Sequence, residues 1–219
     1  MNRKNIIVLA GVFLVFSILG ILFFSPSEIS SNNLQNLNSN VTSSRGVLAP
    51  LEGDHVLEIN NPKNVIIEYA SLTCPHCAVF HNEVFPKIQT ELINTGKVKY
   101  IFRDFPIDRY AMAGSMIAHC AGDDKYFAVI NVLLKTQDQW LFDNENPYNG
   151  LLKVARLASL SEEEVEMCLK NKSLFSQIEN NQKMATNRFG VNGTPAIFVN
   201  ESRLTTLDFE TILEYLGNN

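Results

Sequence analysis

The stretch from Val65 to Cys77, VIIEYASLTCPHC, restricts the chain more than any other. Val65, Ile66 and Ile67 open an apolar run that passes through Glu68 to Ala70. A strand that is apolar at successive positions suits a sheet covered on both faces. The polar turn Ser71 to Thr73 then delivers Cys74-Pro75-His76-Cys77. From Cys77 onward Val79, Phe80, Val84, Ile88 and Leu92 recur at helical spacing. Two thiols three positions apart thus stand at a helix start, where they can close a disulfide. After a strand and a turn, such a pair reads as a redox dithiol.

The flanking segments supply the rest of an α/β fold. His55 to Ile59 alternates weakly and reads as a short edge strand. Pro86 should kink the helix that follows the dithiol, and Gly96 should end it. Val98 to Phe102 reads as a second strand, giving a strand–helix–strand unit with a parallel pair. Residues 106–189 lose alternation and become helical. Ala113, Met116, Ile117 and Cys120 line one face there, and Phe127, Ile130, Leu133 and Leu134 another. Asp143 to Gly150 reads as a loop and Leu151 to Leu160 as a helix. Ser161-Glu162-Glu163-Glu164 forms a capping box, followed by a last insertion helix from about Lys172 to Phe189 that Gly190 stops. Trp140, Leu141 and Phe142 are expected in the core. Ala196 to Asn200 is a strand, Glu201 to Arg203 a turn or hairpin, and Thr205 or Thr206 is expected to cap a final amphipathic helix. The expected organisation is residues 49–105 and 190–219 as one α/β domain, with 106–189 as an all-helical insertion.

The first 48 residues differ in kind. Arg3 and Lys4 precede an uncharged run from Ile6 to Phe24, about as long as the roughly 17–25 residues of a bilayer-spanning helix. Basic residues ahead of it place the N-terminus in the cytoplasm and export the remainder. Residues 1–24 therefore read as a signal-anchor or signal peptide, with the anchor favoured because Pro26 spoils a cleavage site at Ser25-Pro26-Ser27. Residues 25–48 read as a flexible tether. The net charge of −5 comes without a basic block, which excludes nucleic acid as a partner.

At a helix start, Cys74 is expected to be exposed to unpaired backbone N–H groups and the positive end of the helix dipole. Both favour thiolate over thiol, and an N–H or charge on His76 would add to them. Whatever stabilises the reduced thiolate makes the disulfide the better oxidant. Cys77, one turn further in, is expected to be the less accessible, resolving thiol. Glu68, a carboxyl in an apolar strand, resists ionisation if buried and then suits proton transfer. Zinc is disfavoured because it needs about four ligands and no second Cys or His pair lies close. Ala78 after the second cysteine removes the covalent haem signature.

The Cys74-Pro75-His76-Cys77 motif resembles the active site of the DsbA-like thiol:disulfide oxidoreductases of the thioredoxin superfamily. The resemblance extends from about Glu52 to Leu216. It implies a thioredoxin-like fold with an inserted all-helical domain. It implies that Glu68 is the buried acid serving the second cysteine and that Gly193-Thr194-Pro195 is the loop whose cis proline faces the dithiol and binds substrate. Lys99 falls on the next strand, where some members pair a lysine with that acid, but by itself it reads as a solvated strand residue. His81, by contrast, reads as a helix-surface or packing residue. Cys120 and Cys168 form a second pair, either a structural disulfide favoured by an oxidising compartment or two buried free thiols.

The function expected is an exported, periplasmic or otherwise extracytoplasmic enzyme that introduces disulfides into reduced secreted proteins. It needs no cofactor beyond its own Cys74–Cys77 disulfide and no metal. The resemblance implies reoxidation by a quinone-linked membrane oxidase of the DsbB type. A monomer is expected, because only a tether stands where isomerases carry a dimerising domain. Two alternatives stay open. Thr194 before Pro195 is a pairing associated more with isomerases and reductases on the same fold. A thiol-based metal chaperone without turnover is the other.

Overall fold

A computed structural model describes residues 46–142 and 146–217. The expected membrane segment and residues 25–45 of the tether lie outside the described residues. No helix among the described residues is long and apolar enough to cross a membrane.

The sheet has five strands in the order β1-β3-β2-β4-β5. They are β1 (His55–Leu57), β2 (Asn64–Ala70), β3 (Val98–Asp104), β4 (Ala196–Val199) and β5 (Ser202–Arg203). β2 and β3 run parallel, while β1, β4 and β5 pair antiparallel with their neighbours. β2 occupies the middle, and six of its seven residues are buried. Its side chains divide by the period of two of a strand. Ile66 and Ala70 join one core with Tyr100, Phe102 and the helices after the dithiol. Val65, Ile67 and Tyr69 join a second core on the other face with Ile101, Ala185 and Phe198. Both faces are therefore closed, and each large apolar side chain so buried contributes about 1.5–3 kcal/mol.

The connection from β2 to β3 starts with α1 (Pro75–Glu83). Its regular geometry stops at Val84, and a single turn, α2 (Phe85–Lys87), follows. The chain then winds as a π-helix over Ile88–Ile93. Pro86 explains the interruption: it has no N–H and its ring crowds the carbonyl four residues back.

The insertion comprises α3 (Arg109–Cys120), α4 (Asp123–Lys135), α5 (Gln137–Leu141), α6 (Pro147–Leu157), α7 (Glu162–Leu169) and α8 (Lys172–Phe189). The capping box at Ser161 is formed, with Glu164 as its reciprocal partner. Gly190, at φ 65°, terminates α8 in the left-handed region that favours glycine. Four expectations need correction. α6 starts at Pro147 inside the expected loop, because Asn146 accepts from the Tyr148 N–H and Pro147 suits the first helical position. It stops at Leu157, just before Ser159 turns to φ 65°. Phe142 is 70% exposed rather than core, although Trp140 is buried against the Gly150 backbone. The last helix, α9 (Phe209–Gly217), is capped by Asp208, which accepts from the Thr211 N–H, and not by Thr205 or Thr206. A carboxylate at that position also favours the helix dipole.

Candidate active site

The end of β2 aims the chain at the dithiol through a tied loop. The Cys74 N–H donates to the Ser71 carbonyl at 3.1 Å. The Thr73 hydroxyl donates to Asp108 at 2.6 Å. Asp108 also caps α3 by accepting from the N–H groups of Tyr110 and Ala111. Gln137, on α5, reaches in from the insertion. Its Nε2 donates to the Leu72 carbonyl at 2.8 Å and to the Cys74 carbonyl at 3.1 Å.

Cys74 is the N-cap of α1, in extended conformation, with Pro75 at the first helical position. Both Cys74 and Cys77 are free thiols. Contrary to expectation, Cys74 is only 6% exposed, because the Thr194-Pro195 loop covers it. Its Sγ donates to the Thr194 carbonyl at 3.2 Å, and the Thr194–Pro195 peptide bond is cis. His76 is exposed and lines a surface groove of about 390 Å³ with Val79, Phe80, Thr194, Pro195 and Leu207.

The two sulfurs are set far apart electrostatically. The Cys77 thiol, donating to the Cys74 Sγ, is the main reason the Cys74 thiol is lowered to about 5. Burial opposes that shift. The Thr194 hydroxyl and the backbone N–H groups of Cys77 and His76 support it. His76 thus contributes through its main chain. Cys77 is pushed up strongly, first by burial, then by its bond to Cys74 and by the negative charge of Glu68. At pH 7 a thiol of pKa about 5 is about 99% thiolate, so Cys74 carries the charge while Cys77 is kept protonated.

Glu68 is fully buried on the face of β2 that meets α1. Its Oε2 accepts from the Tyr100 hydroxyl and from His81 Nε2, the latter at 3.1 Å. His81 is 2% exposed, which corrects its reading as a surface residue, and it acts as a polar partner as well as a packing one. Lys99 does not pair with Glu68. It stands beside Val65 in the parallel register, on the opposite face of the sheet, and meets Glu58 at 3.7 Å. Tyr100, one residue on, has the parity to face Glu68. No motif singles out Tyr100, His81 or Gln137; the register of β3 against β2 reveals Tyr100, the winding of α1 reveals His81, and the packing of the insertion against the dithiol turn reveals Gln137.

Cys120 and Cys168 are joined in a disulfide between α3 and α7. It lies in a separate small core with Met116 and Ile178, and it takes no part in the dithiol site.

Comparison with known proteins agrees with this geometry. A family model described as Thioredoxin matches residues 52–218. The crystal structure of α-DsbA1 from Wolbachia pipientis superposes with a TM-score of 0.70 at 30% identity, covering 78% of this chain and 94% of that one. A Rickettsia bellii protein named as a candidate protein-disulfide oxidoreductase is 34% identical over 151 residues; the match takes in 68% of this chain but spans only 58% of that relative. BdbD from Bacillus subtilis shares the fold, with a TM-score of 0.67 at 22% identity over 77% of this chain and 94% of that one. With a buried dithiol at a helix start, a cis proline across from it and a helical insertion between β3 and β4, the chain belongs to the thioredoxin family and, within it, to the DsbA-like group.

Proposed function

We propose that this protein is an exported thiol:disulfide oxidoreductase that donates its Cys74–Cys77 disulfide to reduced proteins. The observation that carries the reading is the asymmetry of the pair: Cys74 lowered to about 5 beside a Cys77 held up by burial. A stabilised Cys74 thiolate favours the reduced enzyme and so makes its disulfide oxidising, by about 1.4 kcal/mol for each 30 mV.

The reaction starts when a substrate thiolate attacks the Cys74 Sγ. A substrate–Cys74 disulfide forms, the Cys74–Cys77 bond breaks, and Cys77 leaves with the electron pair and takes up a proton. A second substrate thiolate then attacks its partner sulfur and expels Cys74 as a thiolate. The substrate ends with a disulfide and the enzyme with two reduced thiols. Thr194 and Pro195 form one wall of the groove beside Cys74, and Val79, Phe80 and Leu207 give it apolar surface. That composition suits an extended, unfolded segment with an apolar side chain next to its cysteine. Reoxidation falls to a membrane oxidase of the quinone-linked type, within reach if Ile6 to Phe24 anchors the chain.

Equilibration with glutathione buffers tests the direction. A potential well above the roughly −270 mV of thioredoxin supports the oxidase, and one close to it reassigns the protein to reduction or isomerisation. Cys74→Ala should abolish oxidation of a reduced model protein; retained turnover would overturn the site.

A further inference from the structure

The reaction proposed above leaves one atom without an account. Cys77 departs as a thiolate into a buried setting that disfavours its charge. It needs a proton on each forward step and must return one on each reoxidation. We infer that His81 is the positioning residue that, paired with Glu68, holds this proton. The inference rests on the oxidoreductase reading.

Three observations carry it. First, His81 lies four residues beyond Cys77 in α1, so the two side chains share one face of the helix. That face meets β2 at Glu68 and β3 at Tyr100. Second, the two donors converge on a single oxygen. Glu68 Oε2 takes both the His81 ring and the Tyr100 hydroxyl, while Oε1 is buried with no hydrogen-bond partner. One carboxylate oxygen is thus saturated and the other left vacant for a proton. Third, the ring is fixed. It stacks on Phe85 at 4.6 Å between centroids and meets Phe102 edge-on at 5.9 Å. Its Nδ1 is buried without a partner, so Nε2 is its one anchored atom.

The Glu68–His81 pair can hold one transferable proton, on the imidazole or on the carboxyl, at the same net charge. When Cys77 is expelled, that proton moves to its sulfur and the pair becomes net negative. On reoxidation Cys77 gives the proton back as it attacks the mixed disulfide on Cys74. The Tyr100 hydroxyl supports the carboxylate but does not titrate in the working range, since burial and the Glu68 charge push it well up. A glutamate facing only apolar neighbours would lack this reserve.

The experiment follows reduction of the oxidised full chain by dithiothreitol from pH 5 to 9, using fluorescence of the lone Trp140, with rates corrected for the thiolate fraction of the reagent. The corrected wild-type profile should show an inflection. His81→Gln keeps a donor of similar reach but cannot carry the proton; it should lose the inflection and slow reduction about tenfold at neutral pH, a modest share of what general acid catalysis supplies. Tyr100→Phe should be slower but keep the inflection. A His81→Gln profile parallel to wild type overturns the inference, even if the protein is less stable. A second measurement needs no variant: the imidazole nitrogen resonances of His81 should report different protonation in the oxidised and reduced proteins, and identical signals in both overturn it. Absence of any exchange by wild type would instead sink the oxidoreductase reading on which it rests.

Discussion

The Cys74 Sγ and the Thr194 carbonyl oxygen stand 3.2 Å apart across 120 residues of sequence. The contact brings the proline loop onto Cys74, and with it the buried Thr194 hydroxyl, which has no other partner. A donor placed there favours a thiolate over a thiol, in keeping with the direction of the Cys74 shift.

Alkylation of the reduced protein by iodoacetamide should therefore titrate with a midpoint near pH 5. Thr194→Val removes the hydroxyl and should move the midpoint upward. The same shift predicts how the reduced form responds to pH. Its Cys74 value lies below that of the unfolded chain, so the stability it contributes is fully present above about pH 8.5 and is lost as pH falls through about 5. Urea midpoints of reduced and oxidised protein should diverge as pH rises across that window. Parallel curves would contradict it.

A second pH effect is expected at the edge of the sheet. His55 Nε2 and His119 Nδ1 are 3.1 Å apart, His119 Nε2 is 2.9 Å from buried Asp104, and His55 Nδ1 is 3.3 Å from Asp123. A single proton fits between the two rings, and doubly protonated rings would oppose each other. Burial and then the charge of His119 lower His55, while Asp123, Asp104 and Asp54 pull the other way. The unfolded chain consequently binds the extra proton first, and stability present above about pH 6.5 is lost as pH falls through the lower folded value. His55→Phe keeps an aromatic ring stacked on Tyr126 and should flatten the stability profile between pH 7 and 5 in urea titrations.

Arg103 organises the start of the described chain. Its guanidinium bonds Asp54 twice, the Val47 and Ala49 carbonyls and the Tyr69 hydroxyl, and it is buried. Arg103→Met strands these groups and should cost about 3–5 kcal/mol, read as a lower urea midpoint and faster proteolysis within residues 46–54. Lysine should not rescue it, because it lacks the planar fork.

The Cys120–Cys168 disulfide predicts a separation of stability from chemistry. It closes a span of 48 residues, worth about 4 kcal/mol in the chain-entropy account. Replacing both by serine should lower stability by that order and leave the Cys74 alkylation midpoint in place. A moved midpoint would show that the α3–α7 joint reaches the dithiol.

Much of this architecture was legible because the signals are local. The β2 run, the dithiol after it, the Ser161 capping box and the stop at Gly190 each depend on a few neighbouring residues. The residues around Glu68 depend on register instead. Whether Lys99 or Tyr100 meets Glu68 is decided by the alignment of β3 on β2, and a shift of one position exchanges the two faces. His81 was legible as helical, but whether its side of α1 is wet or dry depends on which face turns to the sheet. Cys74 looked exposed because the loop that covers it arrives 120 residues later.

The pair of bonds from Gln137 to the Leu72 and Cys74 carbonyls bears on whether this fold can be taken apart. Excising residues 106–189, or grafting in another member's helices, would leave those two acceptors without their amide at the most reactive turn of the chain. Each buried carbonyl so stripped costs about 1–3 kcal/mol, enough to let the turn drift from its place under α1. The helices and the sheet are in that sense a single part, and any exchange of modules has to bring a donor to the spot that Gln137 fills.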